Sequence, residues 1–279
     1  MDYDLRTCQK ACDFILEFMN MTSNEYIDEF AIECESDFEK FWERNIDRIK
    51  KVDISKLYII AFHVIGTLDN CKEIKEKGLM NLQEVLSKNT LLCKLLKSYG
   101  IEFDITKKTM SHNEMIYNID YDKYRSKLLL TEKEKNIRNV ARRVYYDFCV
   151  NGFLFNDNIF DYGTDIHKRP EFLMTLSSLL PEVKKLERYW ENNSKSYRID
   201  FYAKIDQIQR FCFALDELKN PPYEGWEKLN DEMKIKKWML LHAIDRSNNV
   251  INEDYLYVKD DVIIPPSQIL KISKLEKIS

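Results

Sequence analysis

The chain has 279 residues, of which 44% are hydrophobic and 32% charged, with only six glycines and six prolines. This composition excludes a collagen-like repeat or a long disordered chain, and the length allows one large domain or two smaller ones. The net charge of −4 gives no overall attraction to nucleic acid, although Arg138, Arg142 and Arg143 offer a local basic patch for such contacts.

Two helices are predicted at the N-terminus. Residues 4–19 carry apolar side chains on one helical face, and Thr22 with Glu25 has the spacing of a capping box that starts a second helix. Aromatic and aliphatic residues recur at steps of mostly three or four as far as Ile49. The second helix is therefore predicted to be long, with a stripe that packs against a core.

The pattern changes after residue 52, and we divide the chain there into a helical segment, 1–52, and a mixed domain, 53–279. Leu57–Phe62 is a short apolar run rich in strand-forming residues and is predicted to be a buried strand. A short helix at Asn70–Lys77 follows, and Gly78 is placed to end it in a left-handed conformation.

The remaining elements are mixed in type. In chain order we expect a helix at 82–99, a polar hairpin or loops at 101–130, a helix capped by Thr131 and Glu134, a strand at Phe153–Phe155, helices beginning near Pro170 and Glu182, a strand at Tyr197–Ile205, a loop at Asn220–Pro222, a helix at Asp231–Asp245 and a strand at Tyr255–Ile264. Strands scattered among helices without regular βαβ spacing predict an α+β fold.

Cysteine usage, histidine spacing and the absence of long apolar runs bear on location and metals. The seven cysteines are odd in number and scattered, which is typical of reduced thiols, and the four histidines are dispersed. We therefore expect no metal site. No apolar run approaches the roughly 20 residues that span a bilayer, and no secretion signal is evident, so we expect a cytoplasmic protein without membrane contact.

The common catalytic motifs are absent from the sequence. It contains no Gly-rich phosphate loop, no G-x-S-x-G elbow and no H-E-x-x-H helix. A polar segment follows the first buried strand instead, with His63, Thr67 and Asp69 around Gly66. A histidine in this place can hold a ligand hydroxyl, and it can equally be a structural residue.

Three segments resemble the ADP-ribosyltransferase fold, in particular the bacterial toxins that modify DNA bases and the RNA 2′-phosphotransferases. In these families a strand ending in His and a small hydroxyl-bearing turn precedes an I-x-x-x-G-L helix, as His63, Thr67 and Ile74–Leu79 do here. Residues 147–155 are similar to the aromatic second strand, and residues 253–270 to the closing acid, strand and Pro-containing turn. The three segments occur in the family's order.

The resemblance implies a fold, a substrate and site residues. The expected fold has N-terminal helices followed by a mixed, split sheet with surrounding helices, and the expected substrate is NAD⁺. Glu253 would be the catalytic acid, because a carboxylate bonded to the ribose 2-hydroxyl helps most as positive charge develops on the sugar. His63 and Thr67 would hold a ribose hydroxyl, and Phe155 or Tyr162 would stack on nicotinamide.

Two points leave the identity of the site residues undecided. Asp254 is adjacent to Glu253 and would point to the opposite face of a strand, so it is an alternative acid. The DNA-modifying toxins carry an arginine after the aromatic strand, whereas residues 156–158 are Asn-Asp-Asn here. This departure predicts altered or lost NAD⁺ binding.

The resemblance implies a toxin or phage-defence role. The enzyme would be an NAD-dependent ADP-ribosyltransferase whose acceptor is a nucleic acid or a protein, held in check by an antitoxin or regulatory partner. The alternative is a non-catalytic interaction protein of a defence or toxin–antitoxin system that keeps the scaffold without NAD chemistry.

Overall fold

A computed structural model describes residues 1–216 and 225–276, and the loop predicted at 220–222 lies outside the described residues. The fold is α+β, as predicted. The α-helices are α1 (Cys8–Met19), α2 (Ser23–Tyr26), α3 (Phe38–Lys50), α4 (Lys72–Lys77), α5 (Leu82–Ser87), α6 (Leu91–Ser98), α7 (Asp122–Arg125), α8 (Glu132–Tyr145), α9 (Glu171–Leu179), α10 (Lys184–Asn193) and α11 (Asp231–Ser247). The strands are β1 (Asp2–Asp4), β2 (Tyr58–Thr67), β3 (Ile101–Asp104), β4 (Thr109–His112), β5 (Met115–Asn118), β6 (Asn151–Asn156), β7 (Lys195–Lys204), β8 (Glu253–Tyr257) and β9 (Ile269–Lys274).

The chain forms two compact units, each assembled from separated segments. The first contains residues 1–62, 151–157 and the described part of 202–257, and the second contains 63–150, 158–201 and the described part of 258–279. The division between residues 52 and 53 stays a prediction, because a compact unit and an independently folding domain are different properties.

One large sheet has the strand order β8-β6-β2-β7-β9, with β1 paired in parallel to the start of β2. β6 and β8 are antiparallel, as are β7 and β9. A second, three-stranded antiparallel sheet, β3-β4-β5, forms in the region where a polar hairpin was predicted.

Each unit has its own apolar core. In the first, α1 packs on α11, and the buried rings of Tyr3 and Phe14 meet edge to face with centroids 4.9 Å apart. In the second, α5, α6 and α8 to α10 close around the small sheet, burying residues such as Met110, Val140 and Leu176 completely. Full burial of one such side chain stabilises the fold by about 2 kcal/mol.

Among the residues that the structure describes, no helix combines the length and the apolar character that a bilayer-spanning segment requires.

The second N-terminal helix is broken into three pieces, so the prediction of one long helix is wrong. α2 is followed by a π-helix at Ile27–Glu33 and then by α3. Between the π-helix and α3, Glu35 and Ser36 adopt positive φ angles of 55° and 60°. The Asp37 carboxylate then accepts a hydrogen bond from the Lys40 amide and caps α3. A new helix start therefore interrupts the stripe, which periodicity alone does not reveal.

Strand β2 is longer than predicted. It begins at Tyr58 and continues through His63 to Thr67, so these two residues lie within the strand and not in a turn after it. The short helix after it, α4, ends at Gly78 as predicted, with a positive φ of 81°. Its ψ of −166° lies outside the left-handed helical region, so the predicted left-handed conformation is wrong.

Other boundaries differ in similar ways. The helix predicted at 82–99 is two helices, because Thr90 caps a second start between them. The strand predicted at Tyr255–Ile264 begins at Glu253 and ends at Tyr257, and strands β1 and β9 were not predicted. Short strands at the chain termini acquire their partners from distant segments, which local patterns do not encode.

Both predicted capping boxes are confirmed, at Thr22 with Glu25 and at Thr131 with Glu134. At the second, the Glu134 carboxylate accepts hydrogen bonds from the Thr131 amide and hydroxyl at 2.9 and 3.0 Å, and Lys127 lies 3.1 Å away. The Thr131 amide and then Lys127 and the Thr131 hydroxyl lower the pKa of Glu134 from 4.5 to about 2.

We expect carboxyl NMR to record a Glu134 titration midpoint near pH 2 in the folded protein. Since the folded pKa lies below the unfolded one, this contribution to stability is complete above pH 4.5 and disappears as the pH falls toward about 2. Thr131→Val removes the hydroxyl and should raise the midpoint measurably. A midpoint near 4.5 in the parent protein would contradict the capping contacts.

Candidate functional site

Glu253, the predicted catalytic acid, begins strand β8 in the first unit. It lies opposite Asn156, the last residue of β6, in the antiparallel pair. Its side chain is exposed, and its Oε2 accepts a hydrogen bond of 3.0 Å from the side-chain amide nitrogen of Asn156. Cross-strand pairing thus holds one carboxylate oxygen while leaving the group open to solvent.

The face of the sheet that carries Glu253 also carries a row of aromatic rings. Tyr255 lies two residues along β8 on the same side, and its ring centroid is 5.4 Å from that of Phe153 on β6. Phe153 in turn stacks on Phe62 at 5.4 Å. Phe62 and Phe153 are buried, whereas Tyr255 is half-buried.

Phe155, predicted to stack on nicotinamide, lies on the opposite face. A bulge between Phe153 and Phe155 shifts the register, so Phe155 pairs with Asp254. The ring is 1% exposed, and the Arg246 guanidinium carbon lies 4.3 Å from its centroid. A nicotinamide could stack on Phe155 only after Arg246 had moved away.

Asp254, the alternative acid, is held within a polar cluster on that same face. Its Oδ2 lies 2.7 Å from Nδ1 of His242, and its Oδ1 accepts a hydrogen bond from the Tyr255 amide. The His242 ring stacks on Trp238 at 4.0 Å, which fixes its plane. Both oxygens of Asp254 are therefore engaged, while Glu253 keeps one oxygen open.

Two residues near Asp254, the buried Tyr3 and the half-buried Asp245, are hard to ionise. Tyr3 is fully buried, and within the described residues its hydroxyl has no hydrogen-bond partner. Burial, followed by the nearby charges of Asp254 and Asp245, raises the pKa of Tyr3 well above its usual value. Burial also raises the pKa of Asp245. Tyr3 is therefore part of the core, whereas His242, Asp245 and Asp254 are half-buried beside it.

Asp157, in the Asn-Asp-Asn segment at 156–158, forms a buried-arginine ion pair. Asp157 pairs with Arg246 of α11 through two hydrogen bonds, of 2.9 and 2.6 Å. Arg246 also donates to the carbonyls of Leu5 and Ile251, and only 4% of its side chain is exposed. Its guanidinium is thus occupied by structural contacts and is not presented to a ligand.

His63 and Thr67 belong to the second unit and share one face of β2. Four residues of extended strand separate them by about 13 Å, so the two side chains do not hold the same hydroxyl. The Thr67 hydroxyl donates to Asp69 at 2.6 Å, and Asp69 in turn accepts from the Glu73 amide at the start of α4. Thr67 therefore supports a helix cap, and His63 is half-buried.

Tyr162 also lies in the second unit, in the loop after a 3-10 turn at Ile159–Asp161, and is half-buried. The structure thus brings Glu253 and Phe155 onto neighbouring strands of one unit and places His63, Thr67 and Tyr162 in the other. The prediction that Phe155 and Glu253 line one pocket is wrong, because the bulge places their side chains on opposite faces of the sheet. That His63 and Glu253 serve one ligand stays a prediction.

Sequence reasoning missed Asn156, Tyr255 and His242 as members of this region. Tyr255 could have been predicted from the sequence, because residues two apart on a strand share a face. Asn156 and His242 could not have been predicted, since their contacts depend on the pairing register of β6 with β8 and on how α11 packs.

Comparison of the chain with protein families, curated proteins and solved structures found no match.

Proposed function

We propose that the chain is an NAD-dependent ADP-ribosyltransferase-like enzyme with Glu253 as its catalytic acid. The observation that carries the proposal is an exposed carboxylate oriented by Asn156, with the Tyr255 ring about 7 Å further along the same face. A carboxylate and a ring at this separation suit a ribose and its attached base. The proposal places the enzyme in the cytoplasm, where NAD⁺ is available.

The proposed reaction breaks the bond between ribose C1 and the nicotinamide nitrogen, whose electron pair leaves with neutral nicotinamide. A bond forms from C1 to the acceptor atom, and the proton of that atom is released to solvent. As the bond breaks, positive charge spreads over the sugar ring. The open oxygen of Glu253 would accept a hydrogen bond from the ribose 2-hydroxyl, which strengthens as that charge grows. Tyr255 replaces Phe155 as the proposed nicotinamide platform, because it is half-buried and shares a face with Glu253.

The test is nicotinamide release from NAD⁺ by the purified protein in cell lysate, together with calorimetric NAD⁺ binding. We expect Glu253→Gln to lower the release rate about 100-fold and to change NAD⁺ affinity only a few fold, because the lost bond strengthens in the transition state. Glu102→Gln, at an exposed glutamate of the other unit, is the matched control and should behave as the parent. The proposal fails if the parent protein neither binds NAD⁺ nor releases nicotinamide.

The alternative is a non-catalytic interaction protein of a defence or toxin–antitoxin system. Leu128 and Leu129, between α7 and α8, are 99% and 92% exposed, and adjacent apolar side chains left in water favour a partner surface. Expression in a bacterial host separates the two functions. An active transferase should slow growth in a Glu253-dependent manner, whereas a binding module should slow growth equally with Glu253→Gln or not at all.

A further inference from the structure

One face of α8 in the second unit is basic and open to solvent. Lys135, Arg138, Asn139 and Arg142 follow the i, i+3, i+4, i+7 spacing that aligns side chains along a helix, and Tyr146 continues the line past its end. Of these five residues, which we call the α8 stripe, four are exposed and Arg138 is half-buried. The stripe extends for about 16 Å along the helix axis.

The charge around the stripe is opposite in sign to that of the whole chain. Residues 106–146 contain ten Lys and Arg against five Asp and Glu, although the chain as a whole carries −4. Within residues 1–216 and 225–276, neither Arg138 nor Arg142 forms an ion pair. Lys135 pairs with Glu132 at 3.2 Å, and both side chains are more than half exposed, so this pair is weak and easily exchanged for an anion.

A groove of about 420 Å³ runs beside the stripe, between α8 and α9. Arg142 and Asn139 line it from α8, and Thr175 lines it from α9. Arg143 also reaches the groove but is neutralised by Asp147 and Glu171, each at 2.5 Å. Arg142 is therefore the cation that the groove presents to an anionic ligand.

An exposed aromatic ring lies next to this cation. Tyr146 is 62% exposed, the Arg142 guanidinium carbon is 5.8 Å from its ring centroid, and the Tyr121 ring packs against it at 5.6 Å. A supported ring with an open face beside arginines is the arrangement on which unpaired bases stack.

We propose that the α8 stripe and its groove bind single-stranded nucleic acid. The regularly spaced cations would follow the phosphates, and Tyr146 would stack on one base. A duplex offers no unpaired base to the ring, which is why the proposal commits to a single strand. The inference stands on this surface alone and does not depend on NAD⁺ chemistry.

The test is fluorescence anisotropy with labelled oligothymidylate and oligouridylate of about 15 nucleotides, long enough to exceed the stripe. We expect R138Q/R142Q to weaken binding about tenfold or more at low salt and to reduce the salt-dependence slope by about 1.4, since each phosphate contact on a single strand contributes about 0.7. Tyr146→Ala should weaken binding about tenfold with the salt slope unchanged, and Tyr146→Phe should bind as the parent.

The matched control is K94Q/K97Q, which removes two exposed cations from α6 of the same unit and should leave affinity within about twofold. Circular dichroism melts establish that each variant is folded. Three results would overturn the proposal: no binding by the parent at low salt, equal losses in the control and in R138Q/R142Q, or a duplex of the same length binding as tightly as the single strand.

Discussion

Gly66→Ala is expected to destabilise the second unit by about 3 kcal/mol or more, because the site has no space for a methyl group. A Cβ at this position would lie 2.3 Å from the carbonyl carbon and oxygen of Lys168 and 2.8 Å from the Arg169 amide nitrogen. These are main-chain atoms, which cannot rotate away as a side chain does, so β2 or the segment 166–169 must shift.

The contacts of Gly66 make that shift costly. Its amide donates to the Ile166 carbonyl at 3.1 Å, and its own carbonyl accepts from the buried Trp190 indole at 2.8 Å. Moving the strand breaks both bonds and leaves an unsatisfied indole in the core. Urea unfolding followed by circular dichroism should show the loss as a lower midpoint with a similar slope.

Gly163→Ala provides the matched control, because a Cβ at Gly163 would meet no atom within 4 Å. We expect it to change the free energy of unfolding by no more than about 0.5 kcal/mol, and in the stabilising direction if at all, since alanine restricts the unfolded chain. Equal urea midpoints for Gly66→Ala and the parent would mean that the close approach of the Lys168 main chain to β2 is not maintained in solution.

The elements that were predicted correctly from the sequence are those determined by residues close together in the chain. Both capping boxes need only two residues three apart, and the helix end at Gly78 needs only a positive φ, which glycine adopts without strain. The capping residues Asp37 and Thr90 obey the same local chemistry, but each lies inside a continuous apolar stripe. Periodicity therefore concealed the helix starts that these residues create.

The candidate site was harder to predict because strand faces depend on register. The sequence places Phe153 and Phe155 on one face by simple alternation, yet a single bulged residue turns Phe155 toward Asp254 and α11. That change makes Tyr255 and not Phe155 the ring on the Glu253 face. A bulge is set by pairing with a distant strand, so no local pattern announces it.

Asp157→Asn is expected to destabilise the first unit by about 2 kcal/mol, less than for a fully buried ion pair because the Asp157 side chain is itself 46% exposed. The substitution keeps the shape of the side chain but removes the carboxylate from a guanidinium that is only 4% exposed. Arginine cannot release its proton to escape this environment, so Arg246 would remain a buried charge. One of its two bonds to residue 157 could persist to the asparagine side-chain oxygen, beside the Leu5 and Ile251 carbonyls and the Phe155 ring, but the negative charge would be gone.

The same reasoning predicts whether a second substitution raises or lowers the free energy of unfolding. Adding Arg246→Met to Asp157→Asn removes the uncompensated charge and supplies a flexible apolar side chain over Phe155, so the double variant should recover part of the lost stability. Asp216→Asn breaks an ion pair with Arg210 whose two side chains are 53% and 56% exposed, and it should leave the urea midpoint nearly unchanged.

These three variants also decide whether Arg246 is a fixed part of the core. If Asp157→Asn costs no more than Asp216→Asn, the pair is not a fixed part of the core and Arg246 is free to turn toward a ligand. If the expected order holds, Asp157 anchors α11 to strand β6 through Arg246. Any NAD⁺ phosphate contact must then come from another cation, and nicotinamide release by Asp157→Asn should fall only as far as its folded fraction falls.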